Sequence, residues 1–337
     1  MDIPVILSHR TAWLCHNVAR NHIDTCRRAT EIGDYSQIPE IGLSAPGIKA
    51  SAAVECIVSF LESLGIPSSE LRTIDTLHAF SFERQGTRLV RPHAFQHVVP
   101  SEHLIQVAIG LFVVDESMCF MQAGLWMGDL EQLEFGYELC ADYHLDHVTG
   151  SGYVPSSRLT TVAELERFCR QYPSYRGSAR ALGILRRVKD ASRSPMETAM
   201  AMMISAKRSL GGLGFCRFEL NRRVDVVPGY RHLTKSGYFE IDLFVPRRNV
   251  GFEYNGSDHL ERSRSAHDAE RLAVLGIMGF DMIVMTGTQF ANQLQMHRLM
   301  NTVAEVLKIK CDRSDEYQRR QNELRLFVIR TWKDEKS

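Results

Sequence analysis

Long apolar runs are missing from this chain. The longest nearly apolar stretch, Leu104 to Val114, already contains Gln106 and is far short of the roughly 20 residues a membrane helix needs. Residues 1–20 lack a basic start followed by an apolar stretch, so no secretory signal is expected. Close cysteine pairs are missing too. The eight cysteines stand at 15, 26, 56, 119, 140, 169, 216 and 311, with no C-x-x-C among them. Zinc ribbons and fingers draw their ligands from such pairs, so neither is expected. A disulfide framework is not expected in a chain this long without a signal. Reduced, mostly buried thiols in a cytoplasmic protein are the expectation. The chain has no G-x-x-x-x-G-K-[ST] and no G-x-G-x-x-G loop, which argues against nucleotide hydrolysis and dinucleotide chemistry. It also shows no internal repeat and no low-complexity segment.

What is present is ordinary in bulk and uneven along the chain. The 337 residues are 44% hydrophobic and 24% charged, as expected of a globular protein of two domains or one large one. The 40 basic and 40 acidic residues cancel. By segment they do not. Residues 1–150 carry 9 Lys/Arg against 19 Asp/Glu (−10), whereas residues 170–250 carry 16 against 6 (+10). A basic segment can track a phosphate backbone through counterion release; a merely solvated basic surface is the alternative.

Pattern reading divides the chain into a mixed α+β part over 1–150, a stretch of linker and basic helices over 151–193, an α/β part over 194–308 and a charged extension over 309–337. In the first part, residues 51–63 and 129–141 read as helices, and 80–91 as two short strands joined near Gln85-Gly86. Residues 148–158, rich in Gly, Ser, Thr and Pro, read as a linker, and Thr161-x-x-Glu164 as a capping box. Residues 175–190 read as a basic helix. From Ser194-Pro195 the expectations are a helix to about Leu210, strands at 214–220, 238–245 and 250–254, a helix at 260–276, a strand at 280–285 and a helix at 288–308. The order is α-β-β-β-α-β-α.

Two carboxylates fall inside the expected strands: Asp242 between Ile241 and Leu243, and Glu253 between Phe252 and Tyr254. Asp and Glu are depleted in strands, and a carboxylate among apolar residues is costly unless something pairs with it. Adjacent strands can bring these two to one end of a sheet. A hard divalent cation such as Mg²⁺, which prefers oxygen ligands, would relieve their repulsion, polarise a phosphodiester and activate a water.

The stretch Glu240-Ile-Asp242-Leu-Phe244, Val250-Gly-Phe-Glu253-Tyr-Asn255-Gly256-x-x-His259, Asp268-x-x-Arg271 and Gly279-Phe-Asp-Met-Ile-Val resembles the DUF559 family. That family belongs to the PD-(D/E)XK nuclease superfamily and is related to very-short-patch mismatch repair endonucleases. The resemblance covers about 194 to 307. It implies a restriction-endonuclease-like α-β-β-β-α-β core and a Mg²⁺-dependent (or Mn²⁺-dependent) endonuclease acting on DNA. It also implies roles. Asp242 and Glu253 would be the metal ligands, and Glu197 the helix glutamate that faces the metal. His259 would be an acid, a base or a phosphate contact, and Asp268 and Arg271 the helix pair, with Arg271 steadying phosphate charge. Asn255 stands where relatives usually have Asp and distant nucleases Lys. Asn cannot ionise, which leaves proton transfer to His259 or a metal-activated hydroxide, or leaves a weakened site. Arg222, Arg223, Arg247, Arg248, Lys207 and Arg208 are further candidates for phosphate contact.

Each of these residues also has a plain structural use. Glu197 can complete a capping box with Ser194. Asn255-Gly256 can be only a turn. Asp268 and Arg271 can be a surface pair.

In the first half, Ser8-His-Arg-Thr-Ala-Trp13 and Val99-Pro-Ser-Glu102 are similar to segments of AbiEi-like antitoxins and regulators. The second expectation is therefore a non-catalytic DNA-binding regulator or antitoxin-like protein that keeps the nuclease fold. A homodimer and a toxin–antitoxin or defence-system partner go with these readings. His9, His93, His97 and His103 also lie here, but Pro92 and Val98-Val99 read as extended chain, against a helical metal pair.

Overall fold

A computed structural model describes residues 5–32, 36, 38–41, 50–77, 89–95, 97, 99–146, 152–256, 262–310 and 312–330. From the N-terminus come β1 (Val5–Leu7), α1 (His9–Val18), α2 (Arg20–Ile32), α3 (Ala50–Ser63), β2 (Ile74–Leu77), β3 (Val90–His93), β4 (Leu104–Ala108), β5 (Leu111–Val114), α4 (Glu116–Ala123), α5 (Asp129–Leu139), β6 (Tyr143–Asp146), β7 (Gly152–Pro155), α6 (Val162–Gln171) and α7 (Ser178–Leu185). Then follow α8 (Pro195–Ser205), β8 (Glu219–Asp225), β9 (Tyr238–Val245), β10 (Val250–Asn255), α9 (Arg262–Ile277), β11 (Asp281–Thr286), α10 (Gly287–Ala291), α11 (Gln293–Val306) and α12 (Asp315–Val328). The protein is mixed α/β with mixed sheets. Among the described residues no helix is long and apolar enough to cross a membrane, and the seven described cysteines are free thiols.

The chain packs into two units. The first comprises residues 1–132, 145–150 and 163–183, the second 133–144, 151–162 and 184–337. The first unit holds a sheet of order β3-β2-β1-β5-β4, in which β1 runs parallel to β5 and antiparallel to β2. The all-apolar β1 is buried along its whole length, as suits a central strand covered on both faces.

The second unit is built on a sheet of order β11-β10-β9-β8. β8, β9 and β10 are antiparallel, and β11 joins β10 in parallel through α9. Helix α8 is mostly apolar, with Glu197, Thr198 and Ser205 its polar members, and every residue of it is buried, the pattern of a helix inside a core. Ser194 caps it by accepting from the Glu197 N–H, and Pro195 fills the first turn, where no N–H is needed. One apolar layer of the sheet is Val226, Phe239, Ile241 and Phe244 against Val274 and Leu275 of α9. Along β9, Phe239, Ile241 and Leu243 are buried while Glu240 and Asp242 are half-buried, because successive strand side chains face opposite sides.

Several elements differ from the sequence expectation, each for a physical reason. The strand expected at 214–220 lies at 219–225. The apolar 213–215 stretch instead returns its N–H groups to carbonyls of Met203, Ile204 and Ala206 at the end of α8. The real strand is largely polar because it is a sheet edge. The helix expected to reach Leu210 stops at Ser205. The helix expected at 288–308 is broken at Asn292, whose side chain accepts from the Gln295 N–H and starts α11 afresh. The basic helix expected at 175–190 covers only Ser178–Leu185. Residues 152–155 of the expected linker form a strand. Of the strand pair expected over 80–91, residues 80–88 lie outside the described residues.

Candidate active site: a carboxylate cleft on the second sheet

The cleft is assembled from three strands and two helices. In the β9–β10 hairpin Phe252 pairs with Leu243, so the next position sets Glu253 beside Asp242. The Tyr254 N–H donates to Asp242 Oδ2 at 2.9 Å. On β8, the pairs Leu220–Leu243 and Arg222–Ile241 bracket Asn221 opposite Asp242. Asn221 sits at φ 48°, a left-handed conformation Asn tolerates better than most residues. Its side-chain amide donates to Glu197 Oε2 at 2.6 Å and to the Ala191 carbonyl at 2.8 Å.

Glu197 completes only half of the expected capping box. Ser194 accepts from the Glu197 N–H, but the Glu197 carboxylate accepts from the Arg193 N–H at 2.8 Å and the Ser194 hydroxyl at 3.2 Å rather than from the Ser194 N–H. It also lines the cleft with Asp242, Glu253, Glu240, Arg193 and Arg271 around an open volume of about 610 Å³. Two guanidinium groups balance these acids. Arg271, from α9, donates to Glu253 at 3.0 and 2.5 Å and also to the Glu240 carbonyl. Arg193 grips the Glu240 carboxylate at 2.6 and 3.1 Å. Both pairs are bidentate, the geometry that a planar guanidinium favours.

Arg193 holds the Glu240 carboxyl below its ordinary range, but the other three acids are held above theirs. Burial pushes the Glu253 carboxyl up, the nearby Asp242 charge pushes it further, and Arg271 pulls it part of the way back. Asp242 is raised by burial, against the Tyr254 N–H and the Arg271 charge. Glu197 is raised to about 6, by burial first and by Asp242 as well, while its hydrogen bonds with the Arg193 N–H, Asn221 and Ser194 pull it down. Carboxylates in a cleft that are raised by burial and by one another mark a candidate functional site.

The donor set fits a hard divalent cation. Asp242 lines the cleft, and its Oδ1 makes no hydrogen bond among the described residues. Among the described residues no group of three or more His, Cys, Asp and Glu side chains is arranged to hold a metal unaided. That leaves water and substrate oxygens to complete the shell, the usual situation of Mg²⁺ on one or two carboxylates. Glu253 is engaged at both oxygens by Arg271, so a cation there would share or displace the guanidinium.

The remaining expected residues scatter. Asn255 ends β10, exposed, on the same strand face as Glu253. His259 lies outside the described residues; Asp268 falls within α9, and its side chain is outside them too. Arg271 meets Glu253. Arg222 pairs with Glu219 at 3.2 Å. Arg223 pairs with Asp225 at 2.9 Å and lies 3.9 Å over the Tyr238 ring. Arg247 and Arg248 are exposed in the β9–β10 turn, whereas the part of β9 that lines the cleft ends at Asp242. The structure adds Asn221, Arg193 and the Glu240 carboxylate, none of which sequence reasoning gave a role. Asn221 carries no sequence signal, since it is one polar residue in a polar edge strand. Arg193 could have been noticed as the residue just before the Ser194-Pro195 cap.

Comparison of the chain with protein-family models, with curated proteins and with solved structures finds no match to any of them.

Proposed function

We propose that the second unit is a restriction-endonuclease-like domain of the PD-(D/E)XK kind, similar to the DUF559 family, that hydrolyses DNA phosphodiester bonds. The observation that carries this reading is Asp242 beside Glu253 on adjacent strands of a cleft that Glu197 also lines. The α-β-β-β-α-β order from α8 to β11 supports it. Asp242 and Glu253, with water and substrate oxygens and with Glu197 lining the cleft beside them, would hold Mg²⁺ or Mn²⁺, which would supply Lewis-acid polarisation of the phosphodiester. The chain's own residues do the rest. Asn221 and the α8 cap fix Glu197, the Tyr254 N–H orients Asp242, and Arg271 supplies positive charge where phosphate oxygens would sit. Free thiols and the basic middle segment suit a DNA-binding protein of the cytoplasm. The first unit is the regulatory part in this reading.

A second reading, a non-catalytic DNA-binding regulator or antitoxin-like protein on the same fold, is favoured by two observations. Arg271 already saturates Glu253, and Asn255 stands where an ionisable group is expected. A DNA nicking and cleavage assay with Mg²⁺ or Mn²⁺ separates them, run on wild type, Asp242→Ala and Glu253→Ala with binding measured in parallel. Metal-dependent cutting that is lost in both variants supports the nuclease. Binding without cutting, unchanged in both variants, selects the regulator.

A further inference from the structure

A second pocket of the same unit, between α11 and α12, has no role so far. It holds about 160 Å³ and is lined by Leu294, Met296 and His297 of α11 and by Gln321, Asn322 and Arg325 of α12, among others. No Asp or Glu among the described residues stands on its wall. Its volume is about half the lower end of the range for ordinary ligand pockets, which leaves room for a small molecule rather than a nucleotide.

Arg325 carries the pocket's charge, and the residue is only 6% exposed. Its Nη1 donates to the Phe290 and Ala291 carbonyls at 2.8 and 3.1 Å, and its Nε and Nη2 donate to Asn322 Oδ1 at 3.0 and 2.8 Å. These bonds tie α12 to the end of α10. Every acceptor among them is neutral. Arg325 makes no ion pair among the described residues, and burial alone acts on its pKa, pushing it down. An arginine does not give up its proton in a protein, so the charge stays. Buried charges are normally paired with an opposite charge, and this one is not. The bonds above use every guanidinium N–H except the second hydrogen of Nη2, which is left for a ligand.

The rest of the wall adds no counter-charge. His297 donates from Nδ1 to Gln321 Oε1 at 2.9 Å and accepts at Nε2 from the Asn301 amide at 3.2 Å, the pattern of a neutral ring. Leu294 lies in the first turn of α11, a 14-residue helix whose cap, Asn292, takes up the Gln295 N–H. The positive end of that helix dipole adds to the guanidinium.

We propose that this pocket binds a small monocarboxylic acid, with its carboxylate on Arg325 and its carbon stem against Leu294 and Met296. One uncompensated positive charge matches one carboxylate. A phosphate would bring a second negative charge with no cation on the wall to meet it. The two apolar side chains suit a short alkyl stem, which an inorganic anion lacks. The site is independent of the carboxylate cleft and of the DNA reading.

The test is titration of the full chain with sodium butyrate, sodium acetate and inorganic phosphate, against sodium chloride at equal ionic strength. Backbone amide shifts at 293–297 and 321–325 report on the pocket, and thermal unfolding reports stabilisation. Butyrate should give saturable shifts and raise the unfolding midpoint. Acetate should bind roughly tenfold more weakly, because it buries two CH₂ groups fewer. Arg325→Gln would remove the ties to α10 along with the charge, so the deciding variant is Asn322→Asp. It keeps both bonds from Arg325 and supplies the missing negative charge from within. It should unfold at a higher temperature than wild type without ligand. It should also bind butyrate roughly tenfold more weakly, the scale of one charge-assisted hydrogen bond. Gln293→Glu, exposed at the pocket mouth, should weaken butyrate more than Gln295→Glu, which is exposed on the same turn but does not line the pocket. Butyrate binding unchanged in Asn322→Asp overturns the proposal. So do equal effects of the two glutamates, phosphate binding tighter than butyrate, and the absence of saturable butyrate shifts in wild type.

Discussion

The first unit buries a carboxylate as completely as any in the second, and the outcome is opposite. Glu116, at the start of α4, is 2% exposed. Burial alone would raise its pKa, but His16, 3.3 Å away through Nδ1, and Arg27, bonded to its Oε1, together hold it well below the usual carboxylate range. His16 is fixed in turn by an Nε2 donation to the Val114 carbonyl at 2.8 Å. In the cleft of the second unit, Glu197, Asp242 and Glu253 meet two guanidinium groups, and all three remain raised. The difference is stoichiometry and neighbourhood. Glu116 is one acid between a guanidinium and an imidazole, whereas the cleft sets acid beside acid. A carboxylate matched by its own side chains serves the fold. A group left short of positive charge at the edge of an open cleft is poised to receive some from outside.

Breaking the matched site should have the largest effect. Glu116→Ala strands Arg27 and His16 and should destabilise the first unit by about 3–5 kcal/mol, the range for removing one partner of a buried pair; denaturant unfolding monitored on that unit checks it. Arg271→Ala sharpens the other side of the comparison. It removes the cleft's central cation, so the second unit should lose about 2–3 kcal/mol, less because Arg271 and Glu253 are partly exposed (19% and 11%). Added Mn²⁺ should restore more stability to this variant than to wild type, since a cation then fills the place of the guanidinium; thermal unfolding with and without metal reads this out. Equal Mn²⁺ effects on the two proteins would show that Glu253 takes no part in cation binding.

The smallest effect is in pH dependence, where the two sites differ in sign. The folded pKa of Glu116 is depressed, so its contribution is present above the ordinary value of 4.5 and is lost as pH falls below it. The folded pKa of Glu197 is raised from 4.5 to about 6, so its contribution is full below 4.5 and is lost as pH rises through about 6. That shift amounts to roughly 2 kcal/mol at 1.36 kcal/mol per unit. Glu197→Gln keeps the capping geometry and should flatten the loss for the second unit between about pH 4 and 7. The pH profile of the first unit should stay as it is. A wild-type slope that persists in Glu197→Gln would assign the loss to Asp242 and Glu253 instead.

Much of the second unit could be read before any coordinates. The strand over Tyr238–Val245 was legible to the residue, because the apolar alternation of β9 is interrupted only by Glu240 and Asp242. The cap at Ser194-Pro195 was legible because capping chemistry is local. Placement of β8 was not. Apolar composition pointed to 214–220, but the Gly214 and Phe215 N–H groups at its start are committed to carbonyls at the end of α8, a contact no local pattern shows. The partner of Glu253 was equally hidden. Arg271 stands eighteen residues further on and is one arginine among many, until α9 folds back across the sheet.

The sequence by itself determined which residues were out of place: two carboxylates in apolar strands, a glutamate three residues past a helix cap, and a run of excess positive charge. Those are local facts, fixed by side-chain chemistry against the period of a strand or helix. Only the tertiary structure decided what each one faces. Glu197 is both cap and cleft wall because β8 brings Asn221 to it. Arg271 neutralises Glu253 because α9 crosses back over β10. Charge acts over a few ångströms, and chain distance does not set those ångströms; packing does.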